Sequence, residues 1–437
     1  METIDTAYLK ANFESLQSTS SQGALGALRK EGFREFIQSG IPTAKNEEWR
    51  FTPIGKLFTH EYALGSKPDA ELLLRNQLES VRLPGSGEAN ELVFVNGKYH
   101  SGLSAIRSAK TEMEVQDLES ALRGAHKDLV LESLGKSSTT VRDGLQALNT
   151  SFISEGVFLL FPKNREVERP VIFYHLIDAS QNHALAQPRI LVYLQERASV
   201  QIIETSFTTG AMDSFTNEVM EVVVDRDARL HYYSLQQDRA GASQVHTVHI
   251  RQIARSFVHG VTISLDGAVI RNNTNLILEA EGCESHLYGL YLLKGETHVD
   301  NHTLVDNQKP NCYSNEFYKG ILDGHATGVF NGKIFVRPDA QKTNAYQSNK
   351  NILLSDGATI NTKPQLEIFA DDVKCSHGCT VGQLDPEALF YLQSRGVSRD
   401  HARSMLLNAF ASDIVDQIKW EPLRESVQES IARRLSV

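Results

Sequence analysis

Val219-Met220-Glu221-Val222-Val223-Val224 runs into Asp225-Arg226-Asp227 and out again through Leu230-His231-Tyr232-Tyr233. Two runs rich in β-branched and aromatic residues around a short polar break read as strand, turn, strand. The pattern extends both ways. Upstream lie Val157–Phe161, Val171–Ile177, Ile190–Leu194 and Val200–Ile203; downstream lie Leu276–Leu278 and Lys333–Val336. Asp266-Gly267, Glu281-Gly282, Lys294-Gly295, Asp323-Gly324 and Asp356-Gly357 punctuate the region, each a turn signal. No helical period of convincing length interrupts it between Val157 and Asp372.

The glycines carry a period. Gly267 to Gly282 is 15 residues, Gly282 to Gly295 is 13, Gly295 to Gly324 is 29 and Gly324 to Gly357 is 33. The intervals fall near about 14 and near twice that, as expected of a repeating strand–turn unit stacked into a β-helix. A sandwich or barrel of hairpins is the alternative, but a strand region this long is too large for one small sandwich. The predicted fold is therefore mainly β: a β-helix core over 151–374, with a helical domain over 1–150 before it. A motif and a C-terminal helical domain occupy 375–437.

The flanks read as helix by period. Leu25, Leu28, Phe33, Phe36 and Ile37 recur at steps of three and four, and Val141, Leu145 and Leu148 do the same. A polar, Pro-marked connection, Gly40 to Pro53, lies between. After the β region, Asp385 is an N-cap and Pro386 sits at the first helical position, where a missing N–H costs nothing. Gly396 stops that helix and Ser398 caps the next, with an apolar face of Ala402, Met405, Leu406, Ala409, Phe410, Ile414 and Ile418. Pro422 opens a last helix with Leu423, Val427, Ile431 and Leu435 in steps of four. So small a module must dock on the β region, on a partner, or on both.

Composition excludes several classes. The 437 residues carry 44 Lys+Arg against 54 Asp+Glu, a net charge of −10, which argues against nucleic acid as the main partner. No run approaches the ~18 uninterrupted apolar residues of a membrane span. Met1-Glu2-Thr3-Ile4-Asp5 lacks the apolar stretch of a secretory signal. Four cysteines in a chain this long do not make a disulfide framework. The expected compartment is a reducing cytoplasm.

Chemistry concentrates in Asp371-Asp372-Val373-Lys374-Cys375-Ser376-His377-Gly378-Cys379-Thr380. On an extended chain Cys375, His377 and Cys379 share one face. Thiolate and imidazole suit zinc, copper or iron–sulfur clusters. A straight strand separates Cys375 and Cys379 by ~13 Å, too far to share one metal ion, and Cys375 from His377 by ~6.6 Å. Gly378 offers a place to bend. Cys375/His377 is thus the more credible ligand pair, leaving positions open for a second chain.

Weaker leads surround it. Gly135-Lys136-Ser137 lacks the first glycine of a P-loop because position 130 is Val, so it reads as a loop and no ATP is expected on this chain. Asp371-Asp372 resembles the paired acids of β-helix polysaccharide enzymes, yet neighbours on a strand face opposite ways. His231, His246, His249, His259, His286, His298 and His302 are scattered through strands, a few on one face. Cys283 and Cys312 read as buried thiols.

The run Val373 to Asp385, with Leu389-Phe390-Tyr391-Leu392-Gln393-Ser394-Arg395-Gly396, closely resembles the C-terminal signature of the SufB/SufD family of iron–sulfur cluster assembly scaffolds. Gly40–Pro53, Leu145–Tyr174 and Phe330–Asn349 are similar as well. Lys374-Cys375-Ser376-His377-Gly378 resembles the SufD version, where SufB is expected to carry His-Glu-Ala. The resemblance implies a right-handed parallel β-helix and a non-catalytic scaffold subunit. It implies pairing with SufB and docking of the SufC ATPase on the C-terminal helices, at residues such as Leu406, Phe410 and Ile414. A homodimer is the alternative for the chain alone. A transient iron–sulfur cluster is implied at the SufB–SufD interface, with His377 and Cys375 contributed from this side. The family commonly has Ala in place of Cys379, which is then an extra ligand or, as preferred here, an Ala-sized residue. A flavin is neither required nor excluded by any motif. The competing reading is a stand-alone zinc protein using Cys375, His377 and Cys379.

Overall fold

Strands of a solenoid find partners one full turn away, and that distance is the structural period. The computed structural model describes residues 6–19, 23–64, 71–136 and 143–436. From Val157 on, every strand pairs in parallel with another, at register offsets from 26 residues (Gln244 with Ile270) to 33 (Val157 with Ile190). Each turn contributes one strand to each of two sheets, so the expected unit of about 14 residues is a half-turn. About eight turns stack into a parallel β-solenoid. One sheet runs from Glu114–Asp117 to Thr359–Thr362 and Gln365–Ile368; the other runs from Lys98–Tyr99 to Lys374–Gly382.

Inward side chains of both sheets fill the lumen, Val192, Leu194, Val222 and Val224 meeting Val200, Ile202 and Leu230. The outer faces are covered too. Helices Arg399–Val415 and Glu421–Leu435 lay Leu407, Ile414, Val427 and Ile431 over Tyr174, Ile203, Tyr233 and Val261. N-terminal segments, through Phe36, Trp49 and Leu148, cover Leu185, Phe215 and Val245 of the other sheet. Strands buried on both faces need near-continuous apolar runs, which explains Val157–Phe161 and Val219–Val224. In the turn after Val224, Asp227 adopts φ 54°, a left-handed conformation Asp tolerates better than most residues.

Two expectations change. Residues 1–150 are not only helical: Asn90–Val95 joins one sheet beside Val171–Leu176, and Glu114–Asp117 joins the other, antiparallel to Val157–Leu160. Lys374–Gly382 is the last strand of the solenoid, so the motif belongs to the β core rather than to the helical module. Met1–Asp5, Ser137 and Val141 lie outside the described residues. Among the described residues no helix is long and apolar enough to cross a membrane.

Candidate functional site

Lys374–Gly382 pairs without a register break against Asn344–Ile352. Gly378 therefore does not bend the chain, and the straight-strand separation of Cys375 and Cys379 stands. Cys375 lies opposite Ala345, His377 opposite Gln347 and Cys379 opposite Asn349. Those partners are buried, and Cys375 packs against the lumen core. The alternation thus places Cys375, His377 and Cys379 on the inward face; the spacing predicts the shared face, and the pairing shows that it points inward. The difference is that no further turn covers them: Cys375 is half-buried, while His377 and Cys379 are exposed. They stand in the open mouth of the solenoid. Burial pushes the Cys375 thiol up from its ordinary value. Among the described residues, none of the three belongs to a cluster of three or more His, Cys, Asp or Glu able to hold a metal ion.

Beneath the mouth lies a polar column that linear reading misses. Glu316, Gln347 and His377 occupy successive register positions. Gln347 Nε2 donates to Glu316 Oε2 at 2.6 Å, and burial pushes the Glu316 carboxyl up to about 7. Beside it, Asn349 Nδ2 donates to the Tyr291 hydroxyl at 2.9 Å. Glu316, Gln347 and His377 lie 31 and 30 residues apart and Tyr291 and Asn349 lie 58 apart, two turns, and only the solenoid period would have aligned them.

The C-terminal module divides in two. Helix Pro386–Ser394 has no buried residue, with Phe390 71% and Tyr391 58% exposed. Asp385 caps it through the Glu387 N–H, with Pro386 in the first turn, as expected. The next helix is held down. Lys319 Nζ donates to the Phe410 carbonyl at 2.8 Å and to Asp413 Oδ2 at 2.6 Å, and lies 4.2 Å from the centroid of the Phe410 ring. Of the three expected docking residues, Ile414 is 0% exposed against the solenoid, so it faces no partner. Leu406 and Phe410 are half-buried. The packed face includes Leu407, Ala411 and Val415, while Met405 and Ala409 point outward. A wide apolar helix face hides which stripe wins, and the sheet beneath decides it.

The remaining leads resolve simply. The Gly135 N–H donates to the Glu221 carboxylate, so this loop offers no phosphate cradle there. Asp371 and Asp372 are exposed in the turn before the last strand. Cys283 and Cys312 are buried in the lumen as free thiols. His231, His259 and His286 form a register ladder on one sheet.

Two family models match the chain: "SUF system FeS cluster assembly, SufBD core domain" over residues 175–410, and "SufBD protein N-terminal region" over 5–172. The chain is 30% identical over 420 residues to the iron-sulfur cluster assembly protein SufD of Escherichia coli (strain K12), covering 93% of this chain and 92% of that protein. It is 29% identical over 435 residues to an iron-sulfur cluster assembly SufBD family protein of a Synechocystis species, covering 98% and 95%. It is 25% identical over 442 residues to SufD of Bacillus subtilis, covering 99% and 98%.

Proposed function

Because the chain belongs to the SufBD family of iron–sulfur cluster assembly proteins, we propose that it is a non-catalytic, SufD-type scaffold subunit pairing with a SufB-like chain and docking a SufC-like ATPase, in a complex of one SufB, two SufC and one SufD. The observation that carries this reading is the open end. Lys374–Gly382 has a strand neighbour on one side only, and it holds all three soft donors. An unpaired edge is a template for another chain. A second chain seated there would bring the ligands that Cys375 and His377 lack, and the nascent cluster would be cargo held between the two. Cys379 would be a bystander at the same mouth.

The exposed Phe390, Tyr391 and Met405 are the surface offered to the ATPase. ATP would bind in that partner. Its motion would reach the mouth through Lys319, whose strand, Tyr313–Leu322, lies two strands from Lys374–Gly382. The complex would work in the cytoplasm, and no step in this reading needs a flavin. The zinc alternative requires a closed ligand set, and the straight strand spreads its donors too far for one ion.

Co-expression with SufB-like and SufC-like partners, anaerobic purification, and iron and sulfide assay test the proposal. His377→Ala is expected to leave the complex assembled while cutting iron and sulfide at least several-fold. Insoluble protein from this exposed substitution, or zinc on the lone subunit that is lost with Cys375→Ala and His377→Ala, would overturn it.

A further inference from the structure

Deep in the lumen, toward the N-terminal end, four ionisable side chains from four strands converge. His175 and Glu204 come from one sheet, on Val171–Asp178 and Ser199–Thr209; Glu218 and His246 come from the other, on Ser214–Val224 and Ala242–Gln252. His175 Nε2 lies 2.7 Å from Glu204 Oε1 and 3.5 Å from Glu218 Oε2. His246 Nε2 lies 2.8 Å from Glu204 Oε2 and 3.8 Å from Glu218 Oε2. One ligand atom from each of His175, Glu204 and Glu218 falls within 4.8 Å of the others. All four side chains are more than nine-tenths buried.

The charge arrangement asks for a cation. Burial and the neighbouring Glu204 carboxylate both push Glu218 well up. Burial also pushes Glu204 up, but the His246 imidazole and several hydrogen bonds outweigh it and hold Glu204 well below its usual range. Glu218 Oε1 has no hydrogen-bond partner among the described residues. A divalent ion would neutralise both carboxylates and coordinate that oxygen. Donor atoms around a tetrahedral ion with ~2.1 Å bonds sit ~3.4 Å apart, close to the spacing already present. The Tyr232 hydroxyl donates to Glu204 Oε2 at 2.6 Å, the kind of outer contact that orients a ligating carboxylate.

We infer that this chain binds one divalent first-row transition-metal ion inside the solenoid, held by His175, Glu204, Glu218 and His246. Two imidazoles and two carboxylates suit Zn²⁺, Fe²⁺ or Co²⁺. The site is separate from Cys375 and His377: six to seven strand steps of ~4.8 Å place it ~30 Å from the open mouth. Its ligands come from both sheets, so the ion would tie the two walls of the lumen together.

A site this enclosed must load while the chain folds. The full-length chain is produced in medium supplemented with Co²⁺, dialysed, and examined by metal analysis and visible absorption. The expected result is one Co²⁺ per chain, with d–d bands and no thiolate-to-cobalt charge-transfer band. Glu218→Gln and His246→Gln are each expected to lower retained Co²⁺ at least tenfold, while Cys375→Ala with His377→Ala leaves it unchanged. Glu218→Gln preserves the volume and shape of the side chain, so it is the variant least disturbing to folding. Wild-type chain without retained Co²⁺, or a thiolate band in its spectrum, overturns the proposal even if neither lumen variant folds. So does Co²⁺ that disappears with Cys375 and His377 but survives Glu218→Gln.

Discussion

The two ends of the solenoid are finished in opposite ways. At the N-terminal end, Glu114–Asp117 and Lys98–Tyr99 lie antiparallel on the first parallel strands, and Leu92, Phe94 and Met113 close the lumen. At the C-terminal end, Thr359–Thr362, Gln365–Ile368 and Lys374–Gly382 each have a strand neighbour on one side only. Their sheets stop with Cys375, His377, Cys379 and Val381 facing inward over nothing. An open edge invites aggregation, so a fold that closes one end and leaves the other bare singles out the bare end for a partner. The helices repeat the contrast: Arg399–Val415 is packed down, and Pro386–Ser394 is not.

Core truncations at the two ends should differ the most. Phe173 is fully buried near the closed end, edge-to-face with Phe94 at 6.1 Å. Phe173→Ala is expected to cost ~3–5 kcal/mol, the usual range for emptying such a site. Val381 occupies the inward face at the mouth and is 48% exposed. Val381→Ala should change stability by less than ~0.5 kcal/mol, as exposed sites do. Denaturant midpoints measure both. Equal losses would mean that the C-terminal end is packed in solution, and the contrast between the ends would fail.

This contrast was only half legible in the sequence. The strands, the half-turn period and the capped helix at Asp385 follow from local chemistry: β-branched runs, turn residues, and Pro after an N-cap. That Cys375, His377 and Cys379 share one face follows from alternation; that this face is the inward one needs the pairing with Ala345, Gln347 and Asn349. What eluded linear reading is everything that depends on stacking. His175, Glu204, Glu218 and His246 are spread over three turns, and Glu316 and Gln347 look unrelated until register aligns them. The glycine signal was partial for a similar reason, since Arg197, Asp227, Asn311 and Lys342 take the left-handed turn conformation that Gly282 takes elsewhere. The helix beginning at Arg399 buries Ala402 and Ile414 of the apolar face the sequence shows, while the sheet beneath, not the helix itself, selects Leu407 and Ala411 over Met405 and Ala409.

The polar column under the mouth gives the open end a pH signature of its own, carried by Glu316. Glu316 has a folded value of about 7, raised by burial above an ordinary 4.5. The folded chain therefore binds this proton more tightly than the unfolded chain. The associated stability is fully present below pH 4.5 and is lost as pH rises through about 7. The full effect is on the order of 3 kcal/mol, from the size of the shift. Glu316→Gln keeps the hydrogen-bonding shape of the protonated acid and should flatten the stability profile between pH 5 and pH 8. Unfolding free energies of the two proteins across that interval measure it. A parallel fall in both would place the titrating group elsewhere.

The smallest effect is expected at Cys379. It shares the inward face with Cys375 and His377 but stands one strand repeat further along, exposed beside Asn349 of the preceding turn. Its distance from Cys375 on an unbent strand, ~13 Å, exceeds the reach of one metal ion. Cys375, by contrast, packs against the lumen core and has His377 as its inward neighbour. Cys379→Ala removes an exposed sulfur, so stability should move by less than ~0.5 kcal/mol. In the co-purified complex, iron and sulfide should stay at the wild-type level, whereas Cys375→Ala should lower them. The opposite ranking, with Cys379 needed and Cys375 dispensable, would shift the ligand set outward along the strand. It would make the most exposed part of the mouth, rather than its rim against the core, the place where a partner's ligands meet this chain.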